Sequence, residues 1–296
     1  MRALKILFGL VAALLLVLLF LAWQIGAWNL LFPNTDHDTV APPLPATLQA
    51  PAVLVFTKTN GFRHEEGIAG GLEAMEAITR RRGWSMFHTE NGAVFNQADL
   101  AVFGAVVFLN ASGDMLNESQ ELAFQAWLEG GGGWLGIHAA GDGSHKAWRW
   151  YRDNLVGADF TAHIMGPQFQ TASVVLENHG HPVLQGVPDV FEHEEEWYSW
   201  EKSPRLEGFT ILATVDEESY TPEQAFFFGE PRDLRMGDHP VVWSRCVGEG
   251  RSVYATMGHR ADAFTQPQVR MLLDNALVWL MQPQGAQECA DAANSE

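Results

Sequence analysis

Short, unbroken apolar runs alternate with helix-period segments from residue 52 to residue 155, and that alternation limits the fold more than any other feature. Ala52–Phe56 and Val102–Leu109 are continuously apolar. Runs of that length are too short for stable helices and lack the in–out alternation of a half-exposed strand, so they read as strands covered on both faces. Trp84–His88 reads as a strand between them, and Trp134–Ile137 as a fourth. From Glu65 to Arg82, Ile68, Leu72, Met75 and Ile78 recur at helical spacing, and Gly83 follows as a stop. Asn117–Leu128 carries Leu122, Phe124, Ala126 and Leu128 among Glu and Gln, a second crossover helix. Parallel strands need such crossovers, so this half predicts a doubly wound, mostly parallel sheet.

The second half reads differently. Strand candidates at Ser173–Leu176, Val190–Tyr198, Phe209–Val215, Val241–Cys246 and Ser252–Thr256 have little helix between them until Gln266–Met281. That spacing predicts an antiparallel extension or a second small sheet, closed by the last helix. At the junction lies Gly130-Gly-Gly-Gly-Trp-Leu-Gly-Ile-His-Ala-Ala-Gly-Asp-Gly143. It reads as a buried strand ending in a tight turn that lifts His138 above the sheet edge. Hydrolases and amidotransferases mount Ser or Cys on such an elbow. Here the lifted group is an imidazole.

Charge and the first residues bear on location. The chain of 296 residues carries a formal charge of −18. The first 24 residues hold Arg2 and Lys5 and no acid, which leaves 16 basic against 36 acidic side chains, or −20, for the rest. Such a body repels phosphate backbones, so nucleic acid is not an expected partner. Leu4–Trp23 is long enough to span a bilayer, follows a short basic start and lacks a small-x-small cleavage pattern. We read residues 1–24 as an uncleaved anchor, with a cleaved signal as the alternative, and place the acidic body outside the cytoplasm, periplasmic if the cell is Gram-negative. Residues 25–50, broken by Pro33, Pro42, Pro43 and Pro45, read as a linker, 51–282 as one α/β domain, and 283–296 as a frayed acidic tail. Cys246 reads as a small core residue and Cys289 lies in the tail; two cysteines make no disulfide framework, and a single bridge between them is the alternative.

Ligands bind at the carboxyl ends of parallel strands. Three predicted strand ends deliver Arg63 and His64, Asn110 and Asp114, and His138 and Asp142 to one edge. Helix-start, turn-shaping and surface roles are the plain alternatives for each, weakest for His138, whose burial demands partners. His179-Gly-His181-Pro places alternate imidazoles on one side of an extended segment, or in a loop. The acidic run Glu192 to Glu196 precedes Trp197-Tyr198, and its apolar flanks suggest a strand that turns some acids inward. His163 is ambiguous, and His259 follows a strand and a glycine, as at a site edge.

Taken together, Gly61-Phe-Arg-His64, Gly136-Ile-His-Ala-Ala140, Phe160-Thr-Ala-His163, His181-Pro182, the acidic pair before Trp197-Tyr198, Val242-Trp243, Gly248-Glu-Gly-Arg-Ser-Val-Tyr254 and Gly258-His259 resemble one family. The chain is similar, over about residues 52–281, to the ThuA-like, or trehalose-utilisation, proteins of the class I glutamine amidotransferase-like superfamily. That resemblance implies a flavodoxin-like three-layer sandwich without glutaminase chemistry. It also implies a link to sugar catabolism, particularly of disaccharides handled as 3-keto derivatives. The family's acidic pair is Asp-Glu where this chain has Glu195-Glu196.

The leading expectation is a sugar-processing enzyme, with His138 and His64 as base and acid and Glu196 and His259 orienting them. Arg63, Asn110, Asp142, His163, His181, Glu195, Trp197, Tyr198 and Trp243 are the expected substrate contacts. Trp148, Trp150, Trp197, Trp200 and Trp243 offer faces for sugar stacking, or for core packing. A metal-assisted variant uses His64, His138, His163, His181, His259 and Glu196 toward zinc or a similar divalent ion. No other cofactor is expected. The competing class is a non-catalytic, membrane-held carbohydrate-binding module, partnering a sugar dehydrogenase or a second copy of the chain.

Overall fold

The structure, a computed structural model, describes residues 2–24, 26–145, 147–226 and 229–282. Cys289 and the expected acidic tail lie outside the described residues. Helix α1 (Arg2–Gln24) and one short turn of helix, α2 (Trp28–Leu31), precede the body. There follow β1 (Ala52–Phe56), α3 (Glu65–Arg82), β2 (Ser85–Thr89), α4 (Gln97–Leu100), β3 (Ala105–Leu109), α5 (Glu118–Glu129) and β4 (Gly133–Ile137). Gly83 ends α3 in the left-handed region at φ 70°, as its place after the last periodic residue implies. Asn117 starts α5 with a reciprocal capping box to Gln120.

Beyond the elbow come α6 (Arg149–Tyr151), β5 (Phe160–His163), β6 (Gln170–Leu176), β7 (Val190–Glu195), β8 (Tyr198–Trp200) and β9 (Thr210–Val215). A two-residue pair, β10 (Glu223–Gln224) and β11 (Arg232–Asp233), precedes β12 (Pro240–Val247), β13 (Gly250–Ala255) and α7 (Pro267–Leu280). Nine strands form one sheet in the order β2-β1-β3-β4-β13-β12-β9-β6-β7. The first five are parallel; β12, β9, β6 and β7 continue antiparallel. The fold is therefore the expected α/β sandwich with an antiparallel extension.

Three local readings need correction. The β13 segment, grouped in the sequence with the antiparallel half, is the fifth parallel strand, with Arg251 opposite Gly133. Direction is set by the neighbour a strand meets, and its own apolar pattern does not encode it. The tight β12–β13 turn brings it there: a Cβ on Gly250 would lie 1.9 Å from the Leu128 carbonyl oxygen. The single strand expected at Val190–Tyr198 is two, because β7 stops at Glu195 and β8 pairs instead with β5. Cys246 is half-buried on β12 rather than in the core, and its sulfur is not free.

The two faces of the sheet bury different chemistry. Val53, Val55, Val107, Leu135 and Ile137 pack with Met75 and Ile78 of α3 and Leu272, Leu273 and Leu277 of α7. The other face stacks Phe56, Phe108, Phe124, Trp134, Tyr151, Trp243 and Tyr254. Each such side chain contributes about 1.5–3 kcal/mol on leaving water. The linker is not free. Asn29 Nδ2 donates to the Thr59 carbonyl at 2.9 Å, Asn34 to Asn60 Oδ1 at 3.1 Å, and Lys58 pairs with Asp38 at 2.6 Å. It thus runs across the carboxyl end of β1. Among the described residues α1 alone is long and apolar enough to cross a membrane.

Candidate functional site

The carboxyl ends of β1, β4 and β13 and the break after β7 meet at one point. His138 leaves β4 with φ +50°, a left-handed geometry that costs a non-glycine residue about 1–2 kcal/mol. Its surroundings hold it there. Tyr254 Oη donates to the His138 carbonyl at 2.6 Å, Tyr151 Oη to the Ala140 carbonyl at 2.6 Å, and Ala139 N donates to Asn110 Oδ1 at 3.3 Å. The small residues that follow are required, since a Cβ on Gly141 would lie 2.4 Å from Tyr254 Oη.

The ring of His138 is oriented by the backbone. Its Nδ1 lies 2.6 Å from the Thr256 carbonyl and must donate to it, which leaves the Nε2 lone pair pointing into the cluster. Around Nε2 stand His259 Nδ1 at 3.1 Å, Glu196 Oε2 at 3.6 Å and the Tyr198 hydroxyl at 2.9 Å. Glu196 Oε2 is also 3.1 Å from His259 Nδ1. Its other oxygen accepts from Gln168 Nε2 at 2.5 Å and faces His163 Nδ1 at 3.1 Å. His64, just before α3, packs edge-on against His138 and His259 with ring centroids 4.8 and 4.6 Å away. Its Nδ1 is buried without a hydrogen-bond partner. One ligand atom from each of His64, His138, Glu196 and His259 falls within 4.8 Å of every other.

Burial and two neighbouring imidazoles push the His64 ring well below its ordinary pKa, so it stays neutral. Burial pushes His138 down, yet the Glu196 and Glu195 carboxylates outweigh it and raise the ring. Burial likewise pushes Glu196 up, but bonds to His138 and His259 hold it well below the carboxylate range. Glu195 lies behind: it accepts from Gly258 N at 2.7 Å and from Glu196 N at 2.9 Å, fixing the backbone of both neighbours. A cavity of about 380 Å³ opens onto the cluster, with Phe62, Arg63, Phe169 and Arg260 in its wall beside His64 and His259.

The residues singled out from the sequence divide in two. His64, His138, Glu196, His259, His163 and Tyr198 come together, with Glu195 behind them and Arg63 at the mouth, its guanidinium paired to Glu65 and Glu90. Asn110, at φ 51°, bonds the Gly258 carbonyl and shapes the elbow. Asp142 is not at the cluster; it caps the turn through Ser144 N. His181 is remote, capping the 182–184 turn with its ring against Trp279. Trp197 and Trp243 are core residues, the first bonded to the Gln170 carbonyl and the second packed on Tyr254. Trp148 and Trp200 are buried too, and Trp150 Nε1 donates to Glu129. The aromatic faces at the mouth are instead Phe62 and Phe169, the latter 4.9 Å from the His259 ring. Gln168, Phe169 and the Thr256 carbonyl were missed, because a loop amide, a lone Phe and a backbone oxygen leave no pattern in a sequence.

Comparison with solved structures places the fold. A ThuA-like protein from Bacteroides uniformis superposes with a TM-score of 0.66 at 24% identity, covering 81% of this chain and 95% of that one. One from Parabacteroides merdae gives 0.60 at 17%, over 78% and 90%. A cytoplasmic protein from Salmonella typhimurium gives 0.51 at 12%, over 78% and 100%. No curated protein matches the sequence. The ThuA family model, described as trehalose utilisation, matches residues 52–280, and the chain belongs to that family.

Proposed function

We propose that this protein is a membrane-anchored enzyme acting on sugars at a divalent-metal centre formed by His138, Glu196 and His259, with His64 as the base beside it and the body outside the cytoplasm. The observation that carries the reading is the spacing of the three donor atoms, 3.1, 3.1 and 3.6 Å. Zinc bonds of about 2.1 Å at tetrahedral angles place ligands about 3.4 Å apart. Two imidazoles and one carboxylate also make a three-ligand set that leaves a position open to substrate, as in catalytic zinc sites. The donor set is oriented from behind, His138 by Thr256 and Glu196 by Gln168, as metal ligands usually are.

A divalent ion held here supplies a Lewis acid for a carbonyl oxygen. The remaining chemistry belongs to the side chains. His64 lines the cavity beside the three donors and is the side chain placed to take a proton. On a 3-keto glycoside, the substrate class suggested by the family resemblance, His64 takes the proton next to the ketone. The C–H electron pair forms the ring double bond, the glycosidic C–O bond breaks, and the departing oxygen receives the proton from the His64 imidazolium. The Tyr198 hydroxyl, 2.9 Å from His138 Nε2, is placed to donate to an oxygen bound at the same point. Arg63 and Arg260 line the route in.

The test is metal analysis of freshly purified full-length protein, together with turnover of a 3-keto-disaccharide before and after chelation. One bound zinc or similar ion, turnover lost with chelator and restored by metal, is the expected result. His64→Ala should keep the metal and lose turnover. If the loaded protein binds sugar calorimetrically and never turns it over, it is a binding module and the enzyme reading fails.

A further inference from the structure

The junction between α1 and the body is built into the mouth of the cluster. Gln24 and Gly26 line the same cavity as His64 and His259. Arg63 N donates to the Gly26 carbonyl at 3.1 Å, and Gly26 adopts φ +77° so close that a Cβ would lie 2.3 Å from the Arg63 carbonyl oxygen. The Asn29 bond to Thr59 adds a second fastening. The loop that carries His64 is thus bonded to Gly26, two residues beyond the last residue of the apolar helix. Just beyond, Trp28, Leu30, Leu31 and Phe32 are all exposed, an apolar turn with no cover from the body.

Length sets the depth. The 23 residues of α1 rise about 34 Å, enough for a hydrocarbon core of about 30 Å. That leaves Gln24 at the bilayer surface, with the rings of Trp23 and Trp28 on either side of the junction, where amphipathic aromatic side chains settle. The cavity then opens at the level of the lipid head groups. A sugar attached to a lipid is concentrated in that layer and already oriented toward it, so its encounter with the mouth is effectively intramolecular.

We propose that the substrate is a membrane-borne glycoconjugate, a neutral sugar head group on a lipid tail, which enters the cavity from the bilayer surface while Trp28–Phe32 rests among the lipids. This rests on the anchor and on the sugar chemistry proposed above, and names the source of the sugar.

The test uses full-length protein in phosphatidylcholine vesicles containing a glucosyl-diacylglycerol with a photoreactive diazirine on the sugar. A parallel sample carries the diazirine on the choline group, and labelled peptides are mapped by mass spectrometry. The sugar probe should mark the peptides holding Phe62–Glu66, Phe169 and His259–Arg260 severalfold more than the choline probe, which should mark residues 23–32. A flexible Gly-Ser spacer inserted between Gln24 and Ile25 lifts the mouth from the surface and should abolish that preference. Sugar-probe label confined to residues 23–32, label unchanged by the spacer, or a mature chain that begins after Gln24 overturns the proposal. Turnover of a soluble 3-keto-disaccharide, run on the same preparation, separates the two readings: its absence sinks the sugar chemistry, and the labelling pattern decides the membrane source by itself.

Discussion

Two buried histidine settings in this molecule differ in what their nitrogens face. His239 is fully occupied: Nδ1 lies 2.8 Å from the Glu217 carboxylate, and Nε2 donates to the Tyr198 carbonyl at 2.8 Å. At the cluster, His138 Nε2 meets His259 Nδ1 at 3.1 Å besides the Tyr198 hydroxyl at 2.9 Å, and His64 Nδ1 is buried without a hydrogen-bond partner among the described residues. Two ring nitrogens in contact attract only through a shared proton or a shared cation. The lesson is that burial of an imidazole does not identify a site, whereas the partners left over by its nitrogens do.

That contrast can be broken by substitution. His138→Ala should lower metal affinity by at least about 100-fold, beyond the 10–100-fold typical of outer partners, with circular dichroism unchanged. Zinc retained at full stoichiometry would remove the cluster from consideration. His239→Ala should do the opposite, leaving metal content intact. It removes the bonds to the Tyr198 carbonyl and to Glu217, whose carboxylate keeps the Met236 and Gly237 N–H groups, and costs about 1–2 kcal/mol, read as a thermal midpoint lower by a few degrees. Loss of metal in that variant would erase the distinction between the two settings. Gln168→Leu removes the amide that orients Glu196 and should weaken metal binding about tenfold, at the lower end for an outer partner.

The smallest effect concerns an acid away from both. Burial, with Asp114 nearby, pushes the Glu121 carboxyl up to about 7 from 4.5. A raised acid binds protons more tightly when folded, so its contribution to stability is present below 4.5 and is lost as pH rises through 7. Glu121→Gln should therefore stabilise the protein above pH 7 and change nothing below 4.5, by about 1 kcal/mol or less given its partial exposure. Equal midpoints for the variant and the parent at alkaline pH would contradict this.

Much of the architecture was legible because its strongest signals are local. β1 and β3 are apolar throughout because both their faces are covered, and α3 announces its period and its stop. The histidines at 64, 138 and 259 were visible because each follows a strand end or a glycine, where a side chain has somewhere to project. Glu196 was visible only as one of a run of acids, and its inward turn depends on the break between β7 and β8. The direction of β13 was hidden because a strand carries no mark of its neighbour. The tryptophans were unreadable for a related reason: a ring that stacks on sugar and a ring that fills the aromatic face have the same composition. Trp243 and Trp197 fill cores, and Phe169, alone in its loop, stands at the mouth.

The phenols under the elbow carry one more consequence. Tyr151 and Tyr254 are enclosed so completely that burial pushes their hydroxyls well above the ordinary phenol range. Their protons therefore stay in place at any pH the cell meets, and so do the two hydrogen bonds that clamp the carbonyls of Ala140 and His138. The turn is a scaffold that does not titrate. An acid–base profile recorded for this protein near neutrality therefore reports on groups other than these two phenols, and not on the turn coming apart.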